Sequence, residues 1–196
     1  MKYTKQEAEY FFWHCTTAAL LIESLKDRNR ATLSHIHHAI RMASETAVGK
    51  AGVQYASEMA HKQKPATKKH WSGLGFTREH VVPVSVIVKR VMDLYDSGVS
   101  SSWRGLVFDR LTHDDLQHWN VMDSDFFLDR AAPLSAEIAN LVRRSAILAW
   151  ITKDEDRRLK REGLTKAMPA GYGEDDLARY KACQISVVPL YETAAT

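Results

Sequence analysis

Glu79 and His80 stand side by side in the stretch "REHVVPV". The carboxylate can hold a hard divalent ion, and the imidazole, with its near-neutral pKa, can take a proton from water. With a metal present, the pair would supply what phosphodiester hydrolysis needs: an activated water, and a cation to offset charge on the phosphate and the leaving oxygen. Adjacent residues of a regular strand point to opposite faces, so these two converge only if the strand ends or twists here. Pro83, three residues on, cannot donate to a ladder and can end the pairing. A second window, "ITKDEDRRL", places Asp156 before Arg157 and Arg158. Each window also has a purely structural reading. Glu79-His80 can be a polar strand end, and Thr152 with Glu155 forms a capping box, so acidic residues in that first turn are accounted for by the helix dipole.

The elements that must position these residues are mostly helical. Thr4 and Glu7 make a capping-box pattern, and apolar residues from Ala8 to Leu25 recur at helical spacing, predicting an amphipathic helix over about 5–27. A second helix opens near Thr32 and runs through Val53, Ala56 and Met59, with Gly49 and Gly52 as points of interruption. The polar turn "KDRNR" joins the two as a helical hairpin. Residues 61–75 are basic, contain Pro65 and end in "SGLG", marking a boundary. "FTREHVV" then reads as a short strand, "VSVIVKRVMDLYD" as a helix, and "SAEIANLVRR" as another. "AILAWI" is too short for a helix and runs into a cap, so it reads as a strand leading into a helix over "KDEDRRLKRE". "EDDLARYKAC" and "ISVVPL" close the chain as helix and strand.

In this order the two windows resemble the HNH endonucleases of the ββα-metal fold. There a strand carries an acidic-His dipeptide, a second strand follows, and a helix supplies the last ligand. The resemblance implies His80 as general base, Glu79 and Asp156 as metal ligands, and Arg78, Arg157 or Arg158 as phosphate contacts. Asp156 stands where the family has His or Asn, and 75 residues separate it from His80, which requires a helical insertion. A rival window, "RLTHDDLQHWN", could close the site instead through His113, Asp114 and His118, with His118 or Asn120 in the family's final position. Two carboxylates with few imidazoles favour magnesium or manganese over zinc. The expectation is a mainly helical α+β chain: a helical arm over 1–64, then a small ββα-metal-like core with helical insertions over 65–196. It would be a metal-dependent endonuclease acting on DNA. The competing expectation is a non-catalytic nucleic-acid- or protein-binding regulator, phage or bacterial, on a degenerate version of that fold.

Bulk composition limits these readings. A hydrophobic content of 45% builds a sizeable core, and two distant cysteines without CxxC spacing support neither a disulfide framework nor a zinc finger. No apolar run approaches membrane-spanning length and no secretory signal is evident, so a soluble, cytoplasmic protein is expected. A net charge of +3 does not by itself indicate nucleic acid, so local clusters must carry that case. One is "HKQKPATKKHW", where Lys68 and Lys69 flank Trp71, a candidate for stacking on a base. His35, His37 and His38 in "HIHH" lack an evident fourth ligand and read as surface or partly buried histidines. Arg179 and Tyr180 could meet a phosphate, with packing the simpler reading.

Overall fold

The computed structural model describes residues 4–24, 30–64, 70–97 and 132–190. The elements are helix α1 (Lys5–Ser24), α2 (Arg30–Ala51), strand β1 (Tyr55–Ser57), α3 (Glu58–Gln63), β2 (Thr77–His80), α4 (Val84–Asp96), α5 (Ala132–Ser145), β3 (Leu148–Ile151), α6 (Lys153–Arg161), α7 (Ala178–Ala182) and β4 (Val187–Pro189). The mainly helical α+β class expected from the sequence is what forms. The chain divides into two compact units that interleave in sequence: Met1–Lys50 with Ile87–Arg144, and Ala51–Val86 with Ser145–Thr196. The expected division at 64/65 therefore differs from the observed one, because the chain leaves and re-enters each unit.

The described residues of the first unit form helices. On α1 the buried residues Phe11, Cys15, Ala18, Ala19 and Ile22 follow helical periodicity, and the Thr4–Glu7 capping box forms, Glu7 N–H donating to Thr4 Oγ1 at 3.2 Å and Thr4 N–H to Glu7 Oε2 at 2.7 Å. The hydroxyls of Thr16 and Ser135 meet at 3.1 Å, and the Arg143 guanidinium lies 5.1 Å from the Phe11 ring. A later residue of α1 thus meets an earlier residue of α5, so those two helices run antiparallel.

The second unit is built on a four-stranded sheet in the order β2-β3-β1-β4. β3 is central, parallel to β1 and antiparallel to β2, and each of its four residues is buried. A short strand covered on both faces reads as a continuous apolar run, which is why "LAWI" carries no alternation. β1 departs from expectation: the sequence reads Ala56 as part of a longer second helix. Gly52, at φ +70, ends α2, and residues 55–57 find partners in β3 and β4 instead. Ser57 then caps α3, its hydroxyl accepting from Ala60 N–H. The closing helix is also shorter than expected, Ala178–Ala182 rather than 174–183, with turns before it.

Candidate functional site

β2 and β3 pair antiparallel, with Thr77 opposite Ile151, Arg78 opposite Trp150, Glu79 opposite Ala149 and His80 opposite Leu148. α6 follows β3 directly, so strand, antiparallel strand and helix come together in the order the resemblance implies, with α4 and α5 inserted between the two strands. The register stays regular through His80, and Val81 N–H still donates to Ile147 O at 2.7 Å. Regular pairing decides the geometry of the dipeptide. Glu79 shares a face with Ala149 and Ile151, which belong to a core with Leu159 of α6 and Tyr180 of α7. His80 and Arg78 share the other face with Leu148 and Trp150. Glu79 and His80 therefore lie on opposite faces of the sheet, because the β2–β3 register stays regular up to His80, the last residue of β2.

Arg179 governs the Glu79 face. This arginine is 0% exposed, and all five of its N–H groups have acceptors. Nε donates to Val81 O at 2.9 Å; Nη1 donates to Leu164 O at 2.9 Å and to Thr165 O at 3.3 Å; Nη2 donates to Glu79 Oε1 at 2.8 Å and to His80 O. Burial raises the Glu79 carboxyl pKa above its ordinary value, outweighing the pull of the Arg179 guanidinium in the opposite direction, and the nearby Asp156 charge raises it further. Asp156 therefore does reach the electrostatic neighbourhood of Glu79 across the long insertion. Its Oδ2, however, takes Lys160 Nζ at 2.6 Å. Tyr180, buried beside these groups, has its phenol pKa raised by desolvation, and its hydroxyl has no hydrogen-bond partner among the described residues.

This donor set does not fit a magnesium or manganese ion. Such ions need several oxygen ligands and tolerate no fixed cation in their first sphere. Here the Glu79 carboxylate is committed to a buried guanidinium and Asp156 to an ammonium, while the neighbouring phenol is held neutral. Among the described residues no three His, Cys, Asp or Glu side chains gather as a metal group. The resemblance implies Glu79 and Asp156 as ligands of one metal and does not include the Arg179 guanidinium that binds Glu79. Its signal in the sequence is an arginine among Leu177, Ala178, Tyr180 and Cys183, for which packing is the simpler reading.

The other expected contacts separate similarly. Arg157 pairs with Asp154 at 2.6 Å on the α6 surface, and Arg158 donates to Cys183 O at 2.9 Å, a capping bond rather than an open phosphate contact. The α6 capping box forms as read, but it is larger than a local motif. Glu155 Oε2 accepts from Thr152 N–H at 2.8 Å, from Thr152 Oγ1 at 2.9 Å and from Ser57 Oγ at 2.6 Å, tying α6 to the β1–α3 junction. Of the histidine tract, His35 and His38 are exposed and His37 is half-buried. Lys68, Lys69, His113, Asp114, His118 and Asn120 lie outside the described residues.

The opposite face of the sheet carries aromatic rings. Trp71 stacks on Trp150 with centroids 6.1 Å apart and planes 4° apart, and Phe76 meets the Trp71 edge at 5.3 Å. His70 approaches Trp150 edge-on at 5.7 Å, and Lys64 Nζ lies 5.4 Å from the Trp71 centroid. Trp150 is buried, whereas Trp71 and Lys64 are half-buried and Arg78, directly across from Trp150, is exposed. A buried ring thus supports a partly exposed one with a cation over it, the ring-and-cation pairing that stacking platforms use. No family model, no curated protein and no solved structure matches this chain.

Proposed function

We propose that the chain is a non-catalytic nucleic-acid-binding protein whose strand-strand-helix core presents a stacking surface on the His80 face of its sheet. The observation that carries this reading is the Trp71–Trp150 stack with Lys64 and Arg78 beside it. A base is the flat partner such a surface accepts, and single strands offer bases with both faces available. The regulator class expected from the sequence is thereby narrowed to one mode of contact. A second reading, the metal-dependent endonuclease on DNA, is favoured by one observation, the order of β2, β3 and α6. It ranks lower because Glu79 and His80 face opposite ways and Glu79 is held by Arg179.

One experiment separates the two. The full chain is incubated with supercoiled plasmid in magnesium, manganese or EDTA, and in parallel titrated by fluorescence anisotropy against single- and double-stranded oligonucleotides. The expected result is no metal-dependent nicking, together with single-strand binding that falls about tenfold in Trp71→Ala, since one stacked base contributes roughly 1–3 kcal/mol. With Lys64 and Arg78 as the phosphate contacts, the logarithm of affinity should fall with the logarithm of salt at a slope of about −1.4. Nicking that needs metal and is lost in His80→Ala would overturn the binding reading in favour of the nuclease. Absence of binding to either nucleic acid would overturn it in favour of a protein partner.

A further inference from the structure

We propose that Arg179 is the resident cation of the strand-strand-helix core, standing where the resemblance places a divalent metal ion, so that the core closes without any metal. What surrounds the guanidinium requires this whether or not the chain binds nucleic acid. Five oxygens converge on it: one Glu79 carboxylate oxygen and the main-chain carbonyls of His80, Val81, Leu164 and Thr165. Hard oxygens of mixed carboxylate and carbonyl type are what an oxygen-loving cation collects. Here a side chain of the same protein collects them.

The location of those oxygens explains what the cation does. Glu79 and His80 end β2 and Val81 follows it, while Leu164 and Thr165 follow α6, whose C-terminal residue is Arg161. Arg179 itself sits in α7. One planar fork therefore fastens the first strand, the chain leaving the helix and a third element together. An arginine is suited to this because its five donors are fixed in direction and it stays charged when buried. Four of the five bonds go to carbonyls, so the fastening is mostly main chain and only partly an ion pair. Removing the guanidinium would take this donor from four carbonyls and a carboxylate that are buried or part-buried, a large loss for one substitution.

Two consequences can be measured by thermal unfolding of the full chain. First, the wild-type midpoint should agree within about 1 °C in EDTA, magnesium, manganese and calcium, because the position is already filled; mass action by a cation with millimolar affinity would instead raise it visibly. Second, Arg179→Met, which keeps bulk without charge or donors, should lower the midpoint by roughly 6–20 °C. Arg179→Ala should fall as far, yet regain part of the loss in millimolar guanidinium, well below denaturing concentration, whereas Arg179→Met should not, its side chain filling the space. Arg179→Lys, with the charge but fewer and undirected donors, should lie between wild type and Met. A wild-type midpoint that rises by several degrees in any divalent cation overturns the proposal, as does an Arg179→Met protein that melts like the wild type. Should the Ala variant not fold, the wild-type titration and the Lys variant still decide it.

Discussion

The two faces of the β2–β3 pair differ in what they do with charge. On the Glu79 face, every charged group close to the core has been given a fixed partner: Glu79 with Arg179, Asp156 with Lys160, Glu155 with Ser57 and Thr152. On the His80 face, Trp71 is half-buried over Trp150, Lys64 lies by the Trp71 ring, and Arg78 is exposed to solvent. Neighbouring residues of one strand thus serve opposite ends: Glu79 contributes to closing the core and Arg78 to a surface. A dipeptide that looks like one chemical unit in sequence is divided by the pleat. If this contrast holds, substitutions on the first face should cost stability and leave binding per folded molecule unchanged, while Trp71→Ala should do the reverse.

After Arg179, the largest effect on the closed face should come from Glu155. Its one oxygen accepts three hydrogen bonds from buried groups, so Glu155→Ala leaves the Thr152 amide and the Thr152 and Ser57 hydroxyl hydrogens without this acceptor and removes the glutamate half of a capping box. A loss of about 2–3 kcal/mol is expected, readable in urea unfolding as a lower midpoint at unchanged slope. The same box at the start of α1 is the internal control, because Thr4 and Glu7 form it in the open. Glu7→Ala should cost only about 0.5 kcal/mol. Equal losses for the two variants would mean that the Ser57 link contributes nothing, and that the Glu79 face is less tightly fixed than its bonds imply.

How much of this was legible beforehand depends on how local each cause is. α4 is read with its observed bounds because Pro83 and Ser97 punctuate it, and both capping boxes are read because their donors and acceptors lie three residues apart. The ββα order was legible because an apolar run followed by a cap excludes a long helix. β1 was not: its three residues carry no alternation of their own and become a strand only because β3 and β4 lie on either side. Arg179 was hidden for a stronger reason. Its five acceptors come from residues 14 to 100 positions away, and four are carbonyls, which sequence does not distinguish at all. For the dipeptide, two readings stood open for want of one fact, the register of β2 against β3.

Glu79→Gln should be milder than either change above, since only one of the five Arg179 bonds alters in character, and its signature is a dependence on pH. Burial holds the Glu79 carboxyl pKa above its unfolded value, so the folded chain binds the proton more tightly than the unfolded one. Glu79 therefore supports stability most fully below the ordinary glutamate range, and that support is lost as pH rises from about 4 through the raised folded value. Glutamine does not titrate. The unfolding midpoint of the variant relative to wild type should accordingly move in the variant's favour between about pH 4 and pH 7. A difference that is constant across this range, or that moves the other way, would mean that the Arg179 pair outweighs desolvation and that the closed face is stabilised by the charge itself.

The one expected gain on this face concerns Tyr180, and it asks whether the closed face is as fully satisfied as its other members suggest. The Tyr180 ring is in the core with Ile151 and Leu159, but its hydroxyl is buried with no hydrogen-bond partner among the described residues. Folding then strips water from a donor without repaying it, and Tyr180→Phe removes that cost while keeping the ring. The variant should gain up to about 1 kcal/mol, which for a chain of this length raises the midpoint by roughly 2–4 °C. Desolvation also keeps the phenol neutral to high pH, so the gain should be the same at pH 6 and pH 8. A loss of 1 kcal/mol or more in Tyr180→Phe would reverse the sign and identify the hydroxyl as a bonded member of the Glu79 face, extending the network around Arg179 to a further element of α7.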